Sequence, residues 1–188
     1  MISNLKTPLL GAAKKLLILD RDGTLIDNIP YLKDKELINF KPGVCNALLS
    51  AQSKNFEFVV ATNQSGIGRN LLSIVDVTDI NEEISNQLLS EGINLNEFIF
   101  CPHMPNLGCE CRKPNNAMVE EIIKIKGIDR NNVFLIGDML TDAQAAAKSG
   151  IKSFIVTKIE ISINQIPEKS QLVTEFREAI RLILDPDS

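Results

Sequence analysis

Apolar residues recur along this chain in two alternating rhythms. Runs at 16–19, 56–61, 98–100, 133–136 and 153–156 are short and apolar, as suits strands buried on both faces. Between them the spacing turns helical. Val44, Ala47, Leu48 and Ala51 share a face after Pro42, and so do Val77, Ile80, Ile84 and Leu88. Ser73 is placed to cap the second of these helices, and Gly92 lies just past its end. Further helices are expected over 117–126, over 143–148 before Gly150, and from a Thr174 cap to about Leu184, with Glu178 and Arg181 a solvated pair on the last. Alternating strands and helices predict one α/β domain, Rossmann-like and three-layered, with a mostly parallel sheet. Ligands of such sheets bind beyond the carboxyl ends of the strands. Asp20, Thr62, Cys101 and Asp138 each follow a predicted strand, so they are expected on one rim.

Composition narrows the function classes. The 188 residues suit a single domain, with residues 1–13 an extension and residues 14–188 the folded unit. A net charge of −4 argues against a nucleic-acid partner. No run approaches the ~20 apolar residues of a membrane span, and MISNLKTPLLGAAKK is a poor leader. A cytoplasmic monomer with reduced cysteines is the expectation.

Three of the four cysteines and the single histidine fall within residues 101–111. Cys101-x-His103 and Cys109-x-Cys111 each place two ligands on the same side of an extended segment, so each pair can grip one ion. Pro105 and Gly108 let the connector turn back. A Cys3His set is the closed ligand shell of a structural zinc site, with no position left for water. Buried thiols or a disulfide are the alternative. Cys45 stands apart on a helix, as a small core residue. With His103 committed to metal, hydrolase designs that need a histidine base have none.

Acidic residues remain. LLILDRDGTL sets Asp20 and Asp22 directly after a strand. A calcium loop counted from Asp20 would need Gly and Glu where Leu25 and Tyr31 stand. DRDGT, then Thr62-Asn63 after a strand, Lys113 before Pro114, and GD-x3-D at 137–142 together resemble the four ordered motifs of the haloacid dehalogenase (HAD) superfamily phosphatases. The resemblance implies that Asp20 attacks phosphorus while Asp22 serves as general acid and then base. Thr62 and Lys113 match the family's phosphate-holding positions. Two carboxylates facing a phosphate need a hard cation, and the resemblance implies Mg²⁺ on Asp20, the Asp22 carbonyl and Asp138, with Asp142 behind them.

C-x-H…C-x-C-R-K-P further resembles a capless branch shared by heptose-bisphosphate 7-phosphatases and histidinol-phosphate phosphatases. The stretch between Asp22 and Thr62 leaves room for a flap and a helix only. On this resemblance the substrate is a small phosphorylated molecule, first D-glycero-D-manno-heptose 1,7-bisphosphate and alternatively histidinol phosphate or another small ester. Asn28, Tyr31, Asn63, Gln64, Ser65, Arg69 and Arg112 are the candidate substrate contacts, with Lys33 a possible helper. Met139 stands where the branch commonly has a basic residue. A non-catalytic HAD-like binding module is the remaining reading.

Overall fold

The apolar runs become neighbouring strands because both faces of each are covered by helices. The computed structural model describes residues 1–7, 15–95 and 97–186. Its strands are β1 Ile2–Ser3, β2 Lys15–Leu19, β3 Phe56–Asn63, β4 Phe98–Cys101, β5 Val133–Gly137, β6 Lys152–Val156 and β7 Ser170–Val173. The α-helices are α1 Val44–Ser53, α2 Ser65–Gly68, α3 Ile74–Ser90, α4 Ala117–Lys126, α5 Leu140–Lys148 and α6 Phe176–Leu184. They form one sheet of order β1-β4-β3-β2-β5-β6-β7. Every pairing is parallel except that of β1 with β4. Central β2 lies between β3 and β5, so the strand order reverses at its carboxyl end. That is where an open parallel sheet leaves a crevice.

Alternation along β2 and β3 divides the core into two layers. Leu17, Leu19, Phe58 and Val60 pack under α1, α3 and α6, while Leu16, Ile18, Val59 and Ala61 pack under α4 and α5. Among the described residues no helix is long and apolar enough to cross a membrane.

Several boundaries differ from expectation for identifiable reasons. Ser73 does cap α3, accepting from Asp76 N at 3.0 Å while Asp76 accepts from Ser73 N at 2.6 Å. Thr174 is not the cap of α6: Glu175 takes that place, and both the amide and the hydroxyl of Thr174 donate to Glu178 Oε2. The Glu178 carboxylate is therefore held by Thr174. α5 begins three residues earlier than its alanine run, at Leu140, because Asp142 accepts from Met139 N at 3.1 Å and closes the first turn. Ile2–Ser3, within the segment treated as an extension, pairs with Phe100 and Ile99; residues 8–14 lie outside the described residues.

A buried charge cluster lies near the amino ends of β3 and β4. Lys126, 4% exposed at the end of α4, donates to Glu57 and, at 2.7 Å, to Glu97 Oε1. The other Glu97 oxygen accepts from Lys6 N at 2.8 Å. Removing the ammonium leaves the buried Glu97 carboxylate facing the half-buried Glu57 with no counter-charge. Lys126→Met is thus expected to destabilise the fold by about 3 kcal/mol or more, read from the urea midpoint. Unchanged stability would show that water screens this cluster.

Candidate active site

The carboxyl ends of the central strands carry the expected residues to one place. Asp20 leaves β2 with its amide bonded to Ile136 O at 2.9 Å. Thr62 and Asn63 end β3, and Asp138 follows β5. A cavity of about 360 Å³ opens there, lined among others by Asp20, Asp22, Thr62, Arg112, Lys113 and Asp138. Asn28, Tyr31, Asn63, Gln64 and Ser65 also line it.

Lys113 is the electrostatic centre. Only 3% exposed, it donates to Asp20 Oδ1 and to Ala61 O, each at 2.6 Å, and pairs with Asp142 Oδ1 at 2.5 Å. Burial works against its charge, but Asp142 and then Asp20 outweigh it and hold the ammonium above the ordinary lysine range. One cation does not balance this many acids. Burial pushes the Asp20 carboxyl up to about 8, against the pull of Lys113 and with Asp142 and Asp22 adding to the rise. Burial and then Asp142 push Asp138 up to about 6.

Carboxylate oxygens of Asp20, Asp138 and Asp142 lie within 4.8 Å of one another, and Asp138 Oδ1 is buried without a hydrogen-bond partner. These groups fit a hard divalent cation, which wants several oxygen ligands and relieves like-charge crowding. Close backbone approach makes room for them. A β-carbon on Gly23, whose φ is +89°, would stand 2.2 Å from Asp138 Oδ2, and one on Gly137 would stand 2.3 Å from Asp142 Cγ. Asp142 is turned to Lys113 and the Met139 amide, so it supports the cluster from behind.

Some candidate contacts are committed elsewhere. Asn63 exchanges two hydrogen bonds of 3.1 Å with the Lys113 main chain. Its amide therefore aligns Lys113 while Asn63 still lines the cavity. Gln64 Nε2 donates to Asp22 Oδ2 at 2.8 Å and to Thr62 Oγ1 at 3.0 Å. Arg69 is exposed and lies outside the cavity lining, because α2 carries it past the rim. Lys33 pairs with Asp76 at 3.3 Å. Arg112 behaves differently: it lines the cavity, and its buried Nη1 has no hydrogen-bond partner. Arg21 and Asn81 also meet at this site, and an arginine between two aspartates gives no spacing signal of that contact.

The second cluster lies just beyond β4. Cys111 Sγ is 3.2 Å from Cys101 Sγ, 3.8 Å from Cys109 Sγ and 3.3 Å from His103 Nδ1, and Cys101 Sγ is 3.6 Å from both Cys109 Sγ and His103 Nδ1. A disulfide needs about 2.05 Å, so none is present among these three. Tetrahedral ligands at the ~2.3 Å Zn–S distance stand roughly 3.7 Å apart. The donor set and its spacing fit zinc. The loop is tied to the cavity wall: Gln64 N donates to Cys101 O and Gly68 N to Pro102 O, each at 2.8 Å.

Known proteins resemble this chain in sequence and in fold. Residues 110–165 match the HAD-hydrolase-like family model. A Thermoplasma acidophilum protein named as a probable D-glycero-D-manno-heptose-1,7-bisphosphate 7-phosphatase is 33% identical over 144 residues, covering 76% of this chain and 90% of the relative. The bifunctional histidine-biosynthesis protein HisB of Campylobacter jejuni (strain 81-176) is 32% identical over 170 residues, 89% of this chain; the match spans only 47% of that relative. The D,D-heptose 1,7-bisphosphate phosphatase of B. bronchiseptica, crystallised with magnesium and phosphate, superposes with a TM-score of 0.83 at 29% identity, covering 92% of this chain and 99% of that one. Fold, motif order and relatives together place the chain in the HAD-like hydrolase family, as a phosphatase.

Proposed function

We propose that this phosphatase removes the 7-phosphate of D-glycero-D-manno-heptose 1,7-bisphosphate through a phosphorylated Asp20. The observation that carries the substrate reading is Arg112, a guanidinium on the cavity wall with an unpartnered buried Nη1. A second phosphate on the substrate would find its donor there. Lys113 serves the other end, where Asp20 Oδ forms a bond to phosphorus while the bond to the leaving alcohol breaks. Asp22 gives that alcohol its proton and then takes one from the water that hydrolyses the aspartyl phosphate. Thr62 and Lys113 stabilise charge on the phosphoryl oxygens. Asp20, Asp138 and the Asp22 carbonyl would hold Mg²⁺, whose charge lets a phosphate approach these acids. Cys101, His103, Cys109 and Cys111 would hold a structural zinc that fixes the loop carrying Arg112 and Lys113.

Two features favour a second reading, histidinol phosphate. Met139 places no positive charge on the cavity rim, and HisB relatives match the chain at similar identity. Parallel kinetics on both substrates decide between them. The proposal expects the higher kcat/KM for the heptose bisphosphate; a preference for histidinol phosphate overturns it.

The raised carboxyls predict a pH dependence for the cation. With Asp20 near 8 and Asp138 near 6, a cation must displace protons as pH falls, so binding weakens toward acid. Calorimetry is expected to find Mg²⁺ binding at least roughly tenfold weaker at pH 6 than at pH 8, with proton release into the buffer. Affinity independent of pH would place the cation elsewhere.

A further inference from the structure

The chemistry above leaves one buried charge without a task. Arg21 is 2% exposed, and its guanidinium is directed at Asp22: Nε donates to both carboxylate oxygens at 3.2 Å and Nη2 to Oδ2 at 3.0 Å. The remaining arm, Nη1, donates to Asn81 Oδ1 at 2.9 Å. Asn81 is 4% exposed and interrupts the apolar face of α3 beside Val77, Ile80 and Ile84. Burying a guanidinium and an amide in a helix–sheet interface is costly, and apolar residues would pack there more cheaply. The arrangement has a consequence at Asp22. Its Oδ2 accepts from Arg21 Nε, Arg21 Nη2 and Gln64 Nε2, whereas Oδ1 accepts from Arg21 Nε alone. Oδ2 thus faces two N–H donors of its own and shares the single Nε N–H with Oδ1, and it is the poorer place for a proton, since an O–H there would meet donors instead of acceptors.

We propose that Arg21, anchored by Asn81, is a positioning residue for proton transfer at Asp22. It fixes Oδ2 as the acceptor and leaves Oδ1 to carry and deliver the proton. As the bond from Asp20 to phosphorus forms and the phosphorus–alcohol bond breaks, the proton passes from Asp22 Oδ1 to the departing alcohol oxygen. Asp22 remains as a carboxylate paired with the Arg21 guanidinium, oriented to act next as base. The proposal rests on the reading of Asp22 as general acid and base.

Leaving groups separate positioning from structure. An alkyl phosphate needs its alkoxide protonated, while 4-nitrophenolate departs without help. Steady-state kcat/KM with Mg²⁺ would be measured on both esters for wild type, Asn81→Leu and Asp22→Asn, with Asn81→Ser as the second variant should Asn81→Leu not fold. The expected result is a kcat/KM loss of roughly tenfold or more on the alkyl phosphate and little change on the aryl phosphate for the Asn81 variants, in the same sense as Asp22→Asn. Equal losses on both esters, or no loss on either, overturn the positioning role if Asp22→Asn still shows the split. An Asp22→Asn variant that shows no split overturns the reading of Asp22, and the proposal with it.

Discussion

Asp20→Asn is expected to abolish phosphate release, by roughly 10⁴-fold or more in kcat, while leaving the fold at least as stable as the wild type. An asparagine Oδ1 can still accept from Lys113, which now bonds to Asp20 at 2.6 Å, so the cavity keeps its shape. What is lost is the proposed nucleophile, because an amide oxygen does not form the acyl phosphate. The stability half follows from burial. A carboxyl raised to about 8 in the folded protein, against an ordinary value of 3.8, favours folding most below pH 3.8. That contribution is lost progressively as pH rises toward 8. At pH 7 Asp20 therefore opposes folding of the metal-free protein, and asparagine removes that opposition. Activity assays beside thermal melts without Mg²⁺ check both halves. A large fall in melting temperature with partial activity would mean that Asp20 is a structural acid.

Loss of the Cys3His side chains proposed to hold zinc has the second largest expected effect. Cys111→Ser is expected to reduce zinc from one per chain to a small fraction, by elemental analysis. The melting temperature should fall by roughly 10 °C or more. Turnover should fall as well, since Cys111 stands two residues before Lys113, whose main chain Asn63 holds from the other side. A chain that keeps full activity and its melting temperature after chelation and Mg²⁺ repletion would contradict this.

Strands β2 to β6 were legible as short, nearly continuous apolar runs, and helices α1, α3 and α4 because each buries an apolar face at helical spacing. Two-residue β1 is too short to stand out, and β7 opens with the polar pair Ser170-Gln171 and buries only Val173; both sit at the sheet edges. The short turn α2 was hidden because its residues follow a loop whose shape is set by hydrogen bonds to Cys101 and Pro102. At the site, the convergence of Asp20, Thr62 and Asp138 followed from strand ends alone, whereas Lys113, in the loop between β4 and α4, came from the motif resemblance. The partners of each side chain followed from neither. Sequence spacing cannot tell that Asn63 and Gln64 turn inward, or that Arg69 passes the rim. Arg21 escaped notice for the same reason: its anchor is sixty positions away on α3.

The most direct test is to trap the phosphorylated enzyme. Wild type mixed with labelled substrate and Mg²⁺ and quenched in acid is predicted to carry phosphate on the peptide containing Asp20, and Asp20→Asn to carry none. Phosphate on another residue, or turnover without any phosphorylated protein, would contradict the account.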